Sequence, residues 1–122
     1  MAEAFKVLGQ ADIATSAFGT TLYVVPSSPQ TGFATRNIFQ TLVASLVVCN
    51  RHASNAGAYS VRVIPSGETE GTKHTIFLST AIAAKDTHVI SLGLGMQSGD
   101  TIKVSGASGD TISMSAFGIE MV

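Results

Sequence analysis

The feature that most constrains the fold is an alternation of apolar and polar side chains with a period of two. This period places successive side chains on opposite faces of a β-strand. Glycine, proline and aspartate turns separate the alternating segments at intervals of about ten residues, and no segment keeps the period of a helix. The pattern predicts an all-β fold, namely an antiparallel β-sandwich that is jelly-roll-like with about eight strands. The order of the strands stays open. The predicted strands lie at residues 5–8, 20–25, 42–50, 59–64, 73–80, 87–92, 101–105 and 111–115.

The chain of 122 residues suits one domain. We divide it into residues 1–19, an amino-terminal arm with the first short strand, and residues 20–122, a single sandwich domain. Residues 26–37 contain two prolines, a glycine and an asparagine, which indicates a loop. The sequence Ser-Gly-Asp-Thr at residues 98–101 is repeated at residues 108–111. Because aspartate accepts backbone hydrogen bonds and glycine adopts positive φ, both copies are interpreted as hairpin turns.

The segment at residues 42–50 is the most hydrophobic part of the chain. We expect it to form a central strand that is covered on both faces, with Cys49 packed in the core. Its apolar run is far shorter than the roughly 20 residues of a membrane-spanning helix, so we expect no membrane partner. The single cysteine excludes an intramolecular disulfide, and we expect synthesis in a reducing compartment.

The charge composition argues against nucleic acid as a partner. Seven Lys and Arg against eight Asp and Glu give a net charge of −1, and only 12% of residues are charged. The basic residues are scattered, so no basic face for a phosphate backbone is expected. A surface of Ser, Thr, Asn and Gln instead suits dense packing against other proteins, because little charge has to be desolvated.

The residues that could carry chemistry have ordinary explanations. His52, His74 and His88 lack the spacing of a metal site, and the last two are expected to be exposed at strand starts. Ser108 lies in a hairpin turn rather than in an esterase elbow. The acidic pairs Glu68 with Glu70 and Asp100 with Asp110 are expected in solvated loops and turns. We therefore predict no catalytic residues, no metal, no cofactor and no enzymatic activity.

Several phenylalanines lie at or beside predicted loops, namely Phe5, Phe18, Phe33 and Phe39. They are expected either to anchor an interface or to cap the ends of the sandwich.

The order of strands and turns resembles small all-β structural proteins of tailed bacteriophages and prophages. The resemblance covers residues 5–120 and rests on residues 21–26, 45–51, 59–63, 73–74, 82–87 and 92–94 with 99–100. It implies a non-enzymatic virion protein located on the capsid surface and assembled in the bacterial host cytoplasm. The preferred function is a capsid decoration or cement protein, forming a homotrimer and binding the major capsid protein.

Two alternatives remain, a tail, neck, baseplate or fibre component and, less favoured, a carbohydrate-binding module. For the protein interface the resemblance points to Phe5 in the arm and to Phe33 and Arg36 in the long loop, because a rigid sandwich presents binding groups on its loops. An arginine there can pair with a carboxylate through two hydrogen bonds.

Overall fold

The period-two alternation forms strands throughout the described chain. The computed structural model describes residues 3–13, 18–26, 40–106 and 111–121. A single 3-10 turn, Thr72–His74, precedes the fifth strand, and no helix in the described ranges is long and apolar enough to cross a membrane. The strands are β1 Glu3–Ile13, β2 Thr20–Val24, β3 Gln40–Asn50, β4 Gly57–Ile64, β5 Thr75–Ile82, β6 Thr87–Gln97, β7 Thr101–Gly106 and β8 Ile112–Met121.

The strands form two antiparallel sheets of four. The first sheet has the order β1-β8-β3-β6 and the second has the order β2-β7-β4-β5. This is the order of an eight-stranded jelly roll, in which the chain crosses between the sheets and closes two Greek keys. The predicted fold class, an all-β antiparallel sandwich of eight strands, is confirmed.

The hydrophobic core lies between the two sheets and follows the alternation. In β3 the inward residues Val43, Leu46 and Val48 are fully buried, and Val61 of β4 and Val104 of β7 face them from the second sheet. Burial of each such side chain contributes about 1.5–3 kcal/mol relative to leaving it in water. The core therefore depends on the same alternation that predicted the strands.

The interpretation of the hydrophobic third segment was correct in one respect and wrong in another. β3 lies inside the first sheet, between β8 and β6, as expected for a central strand. Its outer face is not covered, because Leu42 is exposed and Cys49 is only half-buried. Cys49 pairs with Ser113 and Thr87 on that outer face and is not part of the core.

The first strand is longer than the sequence pattern indicated. β1 runs from Glu3 to Ile13 and pairs with β8, with a bulge between Val7 and Gly9. A Cβ atom at Gly9 would lie 2.2 Å from the carbonyl oxygen of Leu22 in β2, so only glycine allows β1 to approach the second sheet this closely. The amino-terminal strand is thus built into the sandwich at its β1/β2 side.

The turn between β6 and β7 has the predicted chemistry. Gly99 has a φ of 88°, and the Asp100 carboxylate accepts hydrogen bonds from the backbone N–H groups of Gln97 and Ser66, at 2.9 and 2.8 Å. The repeated copy of this turn at residues 108–111 lies largely outside the described residues.

Candidate interaction surfaces

The histidines hold loops in place. His74 is buried, and the prediction of an exposed edge residue was wrong. Its Nδ1 accepts a hydrogen bond from the Gly71 N–H at 3.0 Å, so the proton is on Nε2, which donates to Glu68 at 3.0 Å. His52 Nδ1 accepts the backbone N–H groups of Ser54 and Asn55, at 3.1 and 2.9 Å. Both rings organise the loops in which they lie.

His88 joins the two sheets. Its Nδ1 lies 2.9 Å from the hydroxyl oxygen of Tyr59, and its Nε2 lies 3.6 Å from the Asp86 carboxylate. The Tyr59 side chain is buried and its ring contacts the edge of the His88 ring, with 5.8 Å between centroids. Burial raises the pKa of Tyr59 above its ordinary value. A buried, protonated phenol between β4 and β6 is a structural link between the sheets.

The acidic pair Glu68 and Glu70 is engaged in ion pairs. Glu70 contacts Arg62 at 2.9 Å and Lys103 at 3.1 Å, and these hydrogen bonds, led by that of Arg62, lower the pKa of the Glu70 carboxyl despite partial desolvation. Glu68 is held by His74 and by Lys73 at 3.2 Å, and both lower its pKa. Glu70 is half-buried rather than solvated, and it fastens the loop before β5 to the second sheet.

A polar cluster that the sequence analysis missed closes one end of the sandwich. Tyr23 donates a hydrogen bond to Glu120, and its hydroxyl oxygen lies 2.9 Å from that of Thr41. Lys6 contacts the other carboxylate oxygen of Glu120 at 2.6 Å. Burial raises the pKa of Glu120, but the hydrogen bonds from Lys6 and Tyr23 outweigh it and the net shift is downward. The spacing of these residues in the sequence, up to 97 positions between Tyr23 and Glu120, carries no signal of their contact.

The strongest candidates for function are two apolar surfaces on the outside of the sandwich. In the described ranges, seven large apolar side chains are exposed. Four of them, Phe5, Val7, Leu42 and Val89, lie on the outer face of the first sheet, Ile76 and Leu78 lie on the edge strand β5, and Val24 lies on β2. Exposed apolar groups that cluster in this way are typical of protein contact sites.

The first surface, which we call the apolar face, consists of Phe5, Val7, Leu42, Phe117 and Ile119. The register places Phe5 opposite Ile119 and Ile119 opposite Leu42, with Val7 opposite Phe117 in the next row. Phe5 is 69% exposed, Val7 48% and Leu42 37%. These positions are adjacent on one side of three hydrogen-bonded strands, and they form a continuous patch.

The apolar face contains no charged residue. Among the described ion pairs of the first sheet, Lys6 contacts Glu120, and Asp12 contacts Arg51 at 3.3 Å at the other end of the sheet. Gly95 lies beside Leu42 on β6, and a Cβ atom added there would meet nothing within 4 Å. A partner that covers this face therefore has little charge to desolvate. At Gly95 no side chain projects toward that partner.

The second surface, which we call the open flank, consists of Ile76, Phe77, Leu78, Ile90 and Leu92. At the opposite side of the molecule β1 packs against β2, but in the described part of the chain β5 and β6 make no comparable contact across the sandwich. Leu78 is 73% exposed and Ile76 is 45% exposed. Phe77, Ile90 and Leu92 pack against the core but remain only half-buried. The core is therefore accessible along this side.

The predicted contact residues have different outcomes. Phe5 lies in strand β1, which includes the strand predicted at residues 5–8, and its side chain is exposed on the apolar face. Phe33, Arg36 and Phe39 lie outside the described residues, as does Ser108. Phe18 is half-buried, with the guanidinium carbon of Arg62 4.1 Å from its ring centroid, so it covers the second sheet. No group of three or more metal-ligating side chains occurs among the residues that the structure describes.

Comparison with known proteins identifies no family for the chain. No protein-family model matches the chain, and no curated protein or solved structure matches it.

Proposed function

We propose that this chain is a non-enzymatic structural protein of a tailed-bacteriophage virion, a decoration or cement protein that forms trimers and reinforces the lattice of the major capsid protein. The observation that carries the proposal is the pair of uncharged apolar surfaces, the apolar face and the open flank, on a rigid jelly roll. Such surfaces serve contacts with other proteins.

The use of the polar residues supports the proposal. The hydrogen bonds of the polar side chains hold loops and sheets together, as at His74, His88 and Glu70. Every buried side-chain nitrogen and oxygen in the described residues has a hydrogen-bond partner. These groups stabilise the framework, and the exposed apolar side chains provide its contact surfaces.

The low charge of the chain suits a repeated shell. Only 12% of residues are charged, so neighbouring copies repel each other weakly. A trimer that touches several capsid subunits at once gains affinity through effective concentration, even where each contact is weak. The jelly roll itself occurs in capsid proteins and also in lectins, so the fold by itself does not select the function.

The direct test is binding to capsids. Purified protein is added to expanded capsids of the encoding phage that lack it. Two quantities are measured: the amount of protein that co-sediments with the capsids, and the temperature at which the capsids release their DNA. We expect saturable binding and a higher release temperature. Absence of both would contradict the proposal, and binding to purified tails alone would place the protein in the tail.

The same assay tests the sequence-based prediction for the long loop. A Phe33→Ser variant is expected to bind capsids more weakly while its circular dichroism spectrum stays that of the wild type. A Val24→Ser variant, which alters an exposed apolar side chain outside both apolar surfaces, serves as the control. Unchanged binding by Phe33→Ser would exclude that residue as an anchor.

A further inference from the structure

We infer that the free edge of β6 pairs with an extended segment of the capsid protein, so that this segment adds one more strand to the first sheet. The inference rests on the proposed function and names the mode of contact by which the chain would bind the shell. It is carried by the direction of the backbone groups in the first half of β6, residues 87–91.

The hydrogen bonds between β3 and β6 determine which backbone groups of β6 face outward. The N–H of Asn50 donates to the carbonyl oxygen of Asp86 at 2.9 Å, and the register continues without a shift from this pair to Ser91. In an antiparallel pair, residues that bond to the partner strand alternate with residues whose N–H and C=O point away from it. Counted in twos from Asp86, the even-numbered residues of this half bond toward β3. The backbone groups of Thr87, Val89 and Ser91 therefore point outward.

These outward groups are available to a partner. β6 is the last strand of the first sheet, and in the described part of the chain it pairs with β3 only. The N–H of Thr87 is taken, because it donates to the Asp86 carboxylate at 2.8 Å. Val89 and Ser91 each present an N–H and a C=O, and Thr87 presents its C=O. The ligand that matches donors and acceptors at this spacing is an extended polypeptide.

β6 is less protected than the other three edge strands. Edge strands that stay free commonly carry charges, prolines or bulges. β1 contains Lys6, Asp12 and a bulge, and β2 has only five residues and lies beside β1. β5 has two register shifts, and the N–H of Ser79, where φ is 47°, donates to the Ser60 hydroxyl at 2.8 Å. β6 contains no Lys, Arg, Asp, Glu or Pro, and its register shift lies beyond residues 87–91.

The side chains beside this edge define the chemistry of the segment. On the outer face Val89 is 68% exposed, and its cross-strand neighbour is Val47. On the inner side, Ile90 of β6 and Phe77 of β5 pack against the core and are half-buried. Successive side chains of a paired strand would lie alternately on these two apolar sides. We therefore expect an uncharged segment with aliphatic or aromatic residues on both faces.

A second copy of β6 does not fit the symmetry of the proposed trimer. Antiparallel pairing of β6 with β6 of another copy creates a two-fold axis, whereas neighbours in a trimer are related by a three-fold rotation. The edge of each copy in the trimer is thus left for a different protein.

The experiment compares two substitutions of the same residue. Val89→Pro removes an outward N–H and places the proline ring at the edge, and the ladder to β3 is expected to survive because this N–H is not part of it. Val89→Ala also removes the valine side chain but keeps the N–H, so the difference between the two variants reports the backbone contact. Circular dichroism checks that both are folded. Binding to expanded capsids that lack the protein is measured by co-sedimentation over a range of concentrations.

We expect Val89→Pro to bind at least about tenfold more weakly than Val89→Ala, because proline removes a hydrogen bond and its ring obstructs the approaching strand. Hydrogen–deuterium exchange of the wild type gives a second readout that does not depend on the folding of the proline variant. The amides of Val89 and Ser91 should exchange more slowly on the capsid than in the free protein.

Equal binding by the two variants would overturn the inference, and so would unchanged exchange of the Val89 and Ser91 amides on the capsid. Wild-type dimers in solution that Val89→Pro abolishes would assign the edge to a second copy, which also overturns it. Each of these results leaves the cement role standing if the wild type binds and stabilises capsids. A wild type that binds no capsid rejects the cement role, and the inference with it.

Discussion

Two glycines on either side of β3 allow a matched test of the packing in the first sheet. A Cβ atom at Gly118 in β8 would lie 2.0 Å from the carbonyl oxygen of Leu42 and 3.0 Å from a methyl carbon of Leu8. A Cβ atom at Gly95 in β6, opposite Leu42 on the other side, would meet nothing within 4 Å. Alanine is therefore expected to disrupt the sheet at one position and to be accepted at the other.

The magnitude follows from this geometry. A Cβ atom 2.0 Å from a backbone oxygen forces β8 and β3 apart, and overpacking of this kind costs about 1–3 kcal/mol. Alanine in place of glycine in an open strand position stabilises by about 0.5–1 kcal/mol, because the unfolded chain loses freedom. The two variants should thus differ by about 1.5–4 kcal/mol in the free energy of unfolding, or about 5–15 °C in Tm for a chain of this size.

Urea unfolding followed by circular dichroism measures this difference. Both variants and the wild type are compared at one protein concentration, because self-association adds to apparent stability. If Gly118→Ala and Gly95→Ala unfolded within about 0.5 kcal/mol of each other, the close approach of β8 to β3 would be refuted, and with it the first sheet as described.

Three further predictions concern the polar framework. Asn50 is buried and its amide nitrogen donates to the carbonyl oxygens of Asn55 and Ile82, so Asn50→Ala should lower the free energy of unfolding in urea by about 2 kcal/mol. Asn55→Ala, at an exposed side chain, should lower it by less than about 0.5 kcal/mol. Equal losses in the two variants would contradict the anchoring role of Asn50. The pKa of Glu70 is below its ordinary 4.5 in the folded chain, so its stabilising contribution is present above pH 4.5 and is lost as the pH falls through the lowered value. Glu70→Gln should therefore reduce the fall in Tm below pH 4.5 in thermal melts. The same fall in Tm in the variant and the wild type would count against the ion pairs. Burial, followed by the hydrogen bond to the Glu120 carboxylate, raises the pKa of Tyr23 above 10.0. Stability should therefore fall as the pH rises above 10, because the tyrosine ionises first in the unfolded chain, and Tyr23→Phe should weaken that fall. Tyrosinate absorbance at 295 nm from both tyrosines near pH 10 in the folded chain would disprove the burial.

The sequence predicted the elements well because the strands depend on local chemistry. The alternation in β4 and the glycine and aspartate of the β6–β7 turn act over a few residues, and both were assigned correctly. Strand order depends on pairings such as β1 with β8, which join opposite ends of the chain. A pattern read along the sequence contains no information about which strands become neighbours.

Burial of individual residues was harder to predict, for a physical reason. Cys49 and Leu42 lie in an apolar run and suggested a strand buried on both sides, but β3 has a partner layer on one face only. His74 is polar and suggested exposure, yet the loop before β5 folds over it and satisfies both ring nitrogens. In both cases tertiary packing decides burial, and hydropathy at one position does not report it.

The sequence predicted the interaction surfaces only in part. Phe5 was predicted as a contact residue and it is the most exposed member of the apolar face. The open flank was missed, because Ile76 and Leu78 look like ordinary strand residues until β5 and β6 are known to be edges of facing sheets. Apolar residues on an edge strand can be recognised as a surface only once the strand order is known.

The measurement that tests the central claim most directly is a cryo-electron microscopy reconstruction of the virion that contains this chain. The account predicts three jelly rolls around a local three-fold axis on the outside of the capsid, with the apolar face of each copy covered by a neighbouring protein. Density for the chain in the tail, or single copies with the apolar face and the open flank both in solvent, would contradict it.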